Sequence, residues 1–128
     1  MMSTFLTCVL AMILALCTGV SRGQCPEKCT CDQLVVRCTG QQLRIIPRPL
    51  TDANVLNLYN NSIASLPDDV FKGWQKLTEL DLSRNMLSSL HDDRFKGLSN
   101  LETLDLTSNR IRNISRPAFR GLTKLRKL

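Results

Sequence analysis

The chain is poor in histidine and lacks the motifs by which catalytic sites are recognised. It has one histidine, His91. That residue follows Leu90 in a turn-like stretch with no partner at motif distance, so it reads as a solvated turn residue, not a catalyst or ligand. No nucleophile elbow, phosphate loop, dinucleotide fingerprint or metal motif occurs. Carboxylates pair at Asp68-Asp69 and Asp92-Asp93, but at the same place in two repeats, which marks a turn preference and not acid/base chemistry. The expectation is therefore no catalysis, no cofactor and no metal. Aromatic residues are only 5% of the chain, which with abundant Leu favours a repetitive aliphatic core. Apolar runs of membrane-span length are also missing. The longest, FLTCVLAMILAL from Phe5 to Leu16, is short of the ~20 residues a span needs and fits a signal-peptide core.

That run organises the N-terminus. Ser21-Arg22-Gly23 puts small residues at the −3 and −1 positions of a cleavage site, so residues 1–23 are expected to be a cleaved signal peptide, not an uncleaved anchor, with Gln24 first in the mature chain. Cys8 and Cys17 leave with the leader. Cys25, Cys29, Cys31 and Cys38 remain. An even number of close cysteines behind a secretory leader points to disulfides in an oxidising compartment. Their C-x3-C-x-C-x6-C spacing suits a zinc knuckle poorly.

Three segments align without a gap at a period of twenty-four: residues 53–76, 77–100 and 101–124, with a further start at 125–128. Leu56, Leu80 and Leu104 coincide, then Leu58, Leu82 and Leu106, then Asn61, Asn85 and Asn109, then Phe71, Phe95 and Phe119. This is the LxxLxLxxNxL pattern of leucine-rich repeats. Alternation in LxL turns two leucines inward and the residue between them outward, which makes a short strand in each unit. No unit can bury its apolar face alone, so the units stack. The aligned Asn is expected to be a buried amide ladder serving loop backbone groups. The aligned Phe should fill the wider side, where Pro67 and Pro117 oppose a long helix. The fold expected is an α/β solenoid: a curved horseshoe with short parallel strands on the concave face, a mostly irregular convex side and a disulfide-capped N-terminus. Trp74 replaces the Leu of the other units and reads as a core side chain.

The cap spans residues 24–52. Val36, Cys38, Leu43 and Ile46 continue the core pattern at an offset of twenty, so Cys38 stands where a Leu would be. A terminal unit needs a cover, and disulfides provide one without a core of their own. The cysteine spacing, followed by Val36-Arg37-Cys38, Leu43-Arg44-Ile45-Ile46-Pro47 and the repeats, resembles the cysteine-rich N-terminal cap of extracellular leucine-rich-repeat proteins, the group of Slit, peroxidasin, Nogo-receptor and variable-lymphocyte-receptor chains. Four cysteines allow three pairings. The resemblance implies Cys25–Cys31 and Cys29–Cys38; a Cys29–Cys31 bridge would independently close a strained ring. Because these proteins also carry a C-terminal cap, the chain is expected to be a fragment. The resemblance implies a secreted or cell-surface protein-binding region, with the recognition region of a larger extracellular enzyme as the alternative.

The resemblance makes the concave face the expected partner-binding site, and its outward residues are Val55, Asn57 and Tyr59, then Glu79, Asp81 and Ser83, then Thr103, Asp105 and Thr107, with Arg84 beside them. Tyr59 is the best single anchor, since Tyr is enriched at hot spots. Asp81 is expected to point into solvent, so its removal should cost no more than roughly 0.5 kcal/mol. Asn60 and Asn113 lie in glycosylation sequons, whereas Asn61 fails because Ile63 occupies the hydroxyl position. Arg110, Arg112, Arg116, Arg120, Lys124, Arg126 and Lys127 follow one another without an acid. They read first as a solvated convex edge whose compensating acids lie in further repeats, with heparan sulfate as a candidate partner. Nucleic acid is not expected outside the cell.

Overall fold

A computed structural model describes residues 24–128; the leader falls outside them. Strands are short because each unit supplies only one LxL step. They are β1 Thr30–Asp32, β2 Val35–Arg37, β3 Val55–Asn57, β4 Glu79–Asp81, β5 Ser89–Leu90, β6 Thr103–Asp105 and β7 Asn113–Ile114. Five form one sheet in the order β1-β2-β3-β4-β6. β1 and β2 make an antiparallel hairpin; every later pairing in this sheet is parallel. Register follows the repeat: Val36 sits opposite Leu56, Leu56 opposite Leu80, and Leu80 opposite Leu104. A one-residue slip would turn each of these leucines out of the core. Lys127 bridges to Thr103 in the same parallel sense. β5 and β7 form a second small parallel sheet.

The core runs the length of the stack. Leu56, Leu58, Leu80, Leu82 and Leu104 are buried, and Cys38 is fully enclosed in the row that the leucines continue. On the wider side, Phe71, Phe95 and Phe119 stack with centroids 5.9 and 5.7 Å apart. Trp74 is fully buried, and its Nε1 donates to the carbonyl of Pro47 at 3.3 Å, which joins the first repeat to the cap. The convex side is made of turns, with one 3-10 helix at Arg116–Phe119 among the described residues. Disulfides join Cys25 to Cys31 and Cys29 to Cys38.

Turns return the chain from one strand to the next. Gly40, Asn60, Arg84 and Ser108 all take positive φ at the same place after the strand. The kink lets sheet-like bonding continue: the N–H of Gly40 donates to Tyr59 O, Asn60 to Ser83 O, and Arg84 to Thr107 O, each at 3.0 Å. Gly and Asn suit that backbone; Arg and Ser are held there by the bonds around them.

Candidate functional site

The asparagine ladder fixes what the sheet can present. Asn85, 6% exposed, accepts from the N–H of Ile63 at 3.0 Å. Its amide donates to Leu58 O and Leu82 O at 3.0 Å and to Ser83 O at 3.2 Å. Asn61 accepts from Gln41 and Leu43 and donates to Cys38 O and Leu58 O. Asn109 accepts from Leu87 and donates to Leu82 O and Leu106 O. Each amide thus closes its own turn and reaches back to the preceding unit. Leu58 O and Leu82 O each receive two asparagines. The ladder holds the units in register, and the register sets which side chains face outward.

Val55, Asn57, Glu79, Asp81, Thr103 and Asp105 line one shallow recess over β3, β4 and β6. Its charge is acidic, from Glu79, Asp81 and Asp105. Tyr59 stands at the rim, 38% exposed, with the Arg84 guanidinium 5.8 Å from its ring centroid. A second recess begins there, lined by Asn60, Arg84, Ser108 and Arg110. The residues proposed from sequence therefore divide between an acidic floor and a mixed aromatic-basic rim.

Two of them differ from expectation. Ser83 is buried, 4% exposed. Its hydroxyl turns onto Asp81 Oδ1 instead of facing a partner, because the strand has ended and the chain is already bending. Asp81 is half-buried and is not a free solvent-facing carboxylate: Oδ1 also accepts the Ser83 N–H at 2.8 Å. Asp105 does the same for the Thr107 N–H at 3.0 Å and its hydroxyl at 2.7 Å. Asn57 accepts the Tyr59 N–H at 3.0 Å. The outward Asp or Asn closes an Asx turn at the ends of β3, β4 and β6. Both sequon asparagines, Asn60 and Asn113, are exposed.

The sequence profile of the leucine rich repeat family matches residues 53–104 and again residues 76–128. This chain belongs to the leucine-rich-repeat family. Among similar leucine-rich-repeat proteins, peroxidasin of Drosophila melanogaster is 38% identical over 74 residues, 58% of this chain but 5% of its own length. Biglycan of Mus musculus is 38% identical over 66 residues, 51% of this chain and 18% of biglycan. The solved structure of human 5T4 (Wnt-activated inhibitory factor 1, trophoblast glycoprotein) superposes with a TM-score of 0.72 at 30% identity, over 87% of this chain and 40% of that one. The chain spans less than half the length of each of these relatives.

The leucine-rich-repeat chain also carries features that the repeat pattern alone did not reveal. Arg94 donates to Leu66 O at 2.8 Å and pairs with Asp68, tying the second repeat to the first. Arg120 grips Asp93 with two bonds of 2.9 Å. That grip holds the Asp93 carboxyl below its ordinary range and raises Arg120. The recurring signal for the strand-end turns was present as Asp81-Leu82-Ser83 and Asp105-Leu106-Thr107. Among the described residues no group of His, Cys, Asp and Glu could hold a metal ion, and no helix is long and apolar enough to cross a membrane.

Proposed function

We propose that this chain is the protein-binding region of a secreted or cell-surface leucine-rich-repeat protein, and that its partner docks on the concave sheet. The cap is residues 24–52, and the repeats are 53–76, 77–100 and 101–124. The observation that carries the reading is the rim: Tyr59 is exposed, aromatic and pinned beneath Arg84. Tyr and Arg dominate binding hot spots, and a ring already held in place loses little freedom on binding. Two disulfides in so short a cap support a site outside the cell.

The test is binding of the complete secreted protein to intact cells, with Tyr59→Ala as the variant. Loss of a hot-spot Tyr costs on the order of 2 kcal/mol, about a thirtyfold weaker Kd. Unchanged binding by Tyr59→Ala would remove the sheet rim from the interface. A second reading, the recognition region of a larger extracellular enzyme, is favoured by the similarity to peroxidasin. In that case the same sheet would position the enzyme, and the chemistry would lie elsewhere in the protein.

A further inference from the structure

Ion pairs between repeats run in one direction only among the described residues. Asp52 meets Lys76, Asp68 meets Arg94, Asp69 meets Lys96, and Asp93 meets Arg120. In every pair the acid belongs to one unit and the base to the next. The one such pair made by the third repeat joins its Arg120 to an acid of the second, among the described residues. There Asp93 is taken by Arg120, and Asp92 accepts the Ser115 hydroxyl. Lys124 finds an amide, Asn100, where an acid would continue the series. Arg116 stands where Asp68 and Asp92 stand in the earlier units. Among the described residues none of Arg110, Arg112 and Arg116 takes part in an ion pair.

Arg110 and Arg112 follow the third ladder asparagine, and Arg116 opens the 3-10 helix after β7. Arg110 and Arg112 are exposed on either side of half-buried Ile111. Their N–H groups are fixed at 2.9 Å to Leu87 O and Ser88 O. Arg110 lines the same recess as Arg84. We propose that Arg110, Arg112 and Arg116, extended by Arg84, bind a sulfated polysaccharide chain. Guanidinium groups match the oxygens of an oxyanion in a fork that an ammonium cannot offer. A linear polyanion can engage several of them at once, which single surface ion pairs do not achieve. A sulfated glycan is the polyanion that fits an extracellular setting, and in that respect only the inference rests on the function proposed above.

Heparin affinity of the complete secreted protein tests it. The protein should be retained at about 0.15 M ionic strength, where exposed charges further apart than about 8 Å are screened. Desulfated heparin should fail to compete. Changing Arg110, Arg112 and Arg116 together to Gln should weaken heparin binding at least tenfold and flatten its salt dependence, as loss of counterion-releasing contacts requires. Each single variant should contribute a share, so the outcome does not hang on the triple variant folding. Arg120→Gln, whose charge is already paired, should change affinity less than twofold. Heparin retention is read without any protein partner, so a failed sheet interface and a failed glycan strip remain distinguishable. Equal losses from Arg120→Gln and the triple variant, undiminished competition by desulfated heparin, or preferential binding to anionic phospholipid vesicles would each overturn the proposal.

Discussion

Exchanging one atom at two positions of the same repeat separates the buried ladder from the outward face. Asn85 and Asp81 have side chains of nearly equal shape, and each accepts a backbone N–H through Oδ1. They differ in what surrounds the other terminal atom. Asn85 Nδ2 faces three carbonyls, those of Leu58, Leu82 and Ser83. Asn85→Asp would aim a carboxylate oxygen at three acceptors in a buried site. An uncompensated buried charge costs about 3–5 kcal/mol. In Asn85→Ala the damage is smaller. Leu58 O and Leu82 O keep Asn61 and Asn109 as donors, and Ser83 O keeps the Asn60 N–H. The Ile63 N–H is left without its acceptor, at about 1–3 kcal/mol. Asp81→Asn retains the Oδ1 acceptor and should stay within about 0.5 kcal/mol of the parent. Asp81→Ala opens the strand-end turn and strands the Ser83 hydroxyl, so about 1 kcal/mol is expected. Urea unfolding of the complete protein measures all four. Equal costs for Asn85→Asp and Asp81→Asn would refute the register of the repeat and the face derived from it.

Other consequences are independent of that register. Gly73 and Gly97 share a positive φ of 94° and 95°, but a Cβ at Gly73 would lie 2.6 Å from Pro49 Cγ, against 3.9 Å from Gln75 Cγ at Gly97. Thermal unfolding should therefore show Gly73→Ala costing about 1–3 kcal/mol more than Gly97→Ala, since a proline ring cannot move aside as a flexible side chain can; equal losses would contradict the contact. Cys38→Ser should cost about 2–5 kcal/mol and reduce secretion, read as the ratio of medium to cell-retained protein. Glycosidase digestion should release mass from both Asn60 and Asn113, and Asn→Gln at each should remove one shift; a digest without a shift would clear both sites of sugar. The mature chain should begin at Gln24 by N-terminal mass mapping, and a secreted product retaining Met1 would exclude the leader.

Much of the solenoid could be read from sequence because its interactions recur. Leu56, Leu80 and Leu104 fall in step in the chain, and the sheet places them opposite one another. Asn61, Asn85 and Asn109 recur for the same reason: every unit exposes the same backbone groups to be satisfied. What depended on single contacts was not legible. No pattern announces that Trp74 reaches the Pro47 carbonyl, or that Arg94 reaches Leu66. The outward face was harder still, because alternation assigns a side and not a role. It put Asp81 on the outward side but gave no account of its folding back onto Ser83, which buried a residue counted as surface. Charge pairing was not legible for a similar reason. Composition shows a basic run, and the direction in which acids and bases pair is a property of the stacked units.

The claim that the concave sheet is the binding face is tested most directly by photo-crosslinking on intact cells. A photoreactive amino acid would replace Tyr59 on the sheet rim in one protein, and exposed Lys72 on the return path from β3 to β4 in another. A discrete cell-surface protein adduct from position 59 and none from position 72 is the predicted result. The same adduct from both positions, or from position 72 alone, would contradict it.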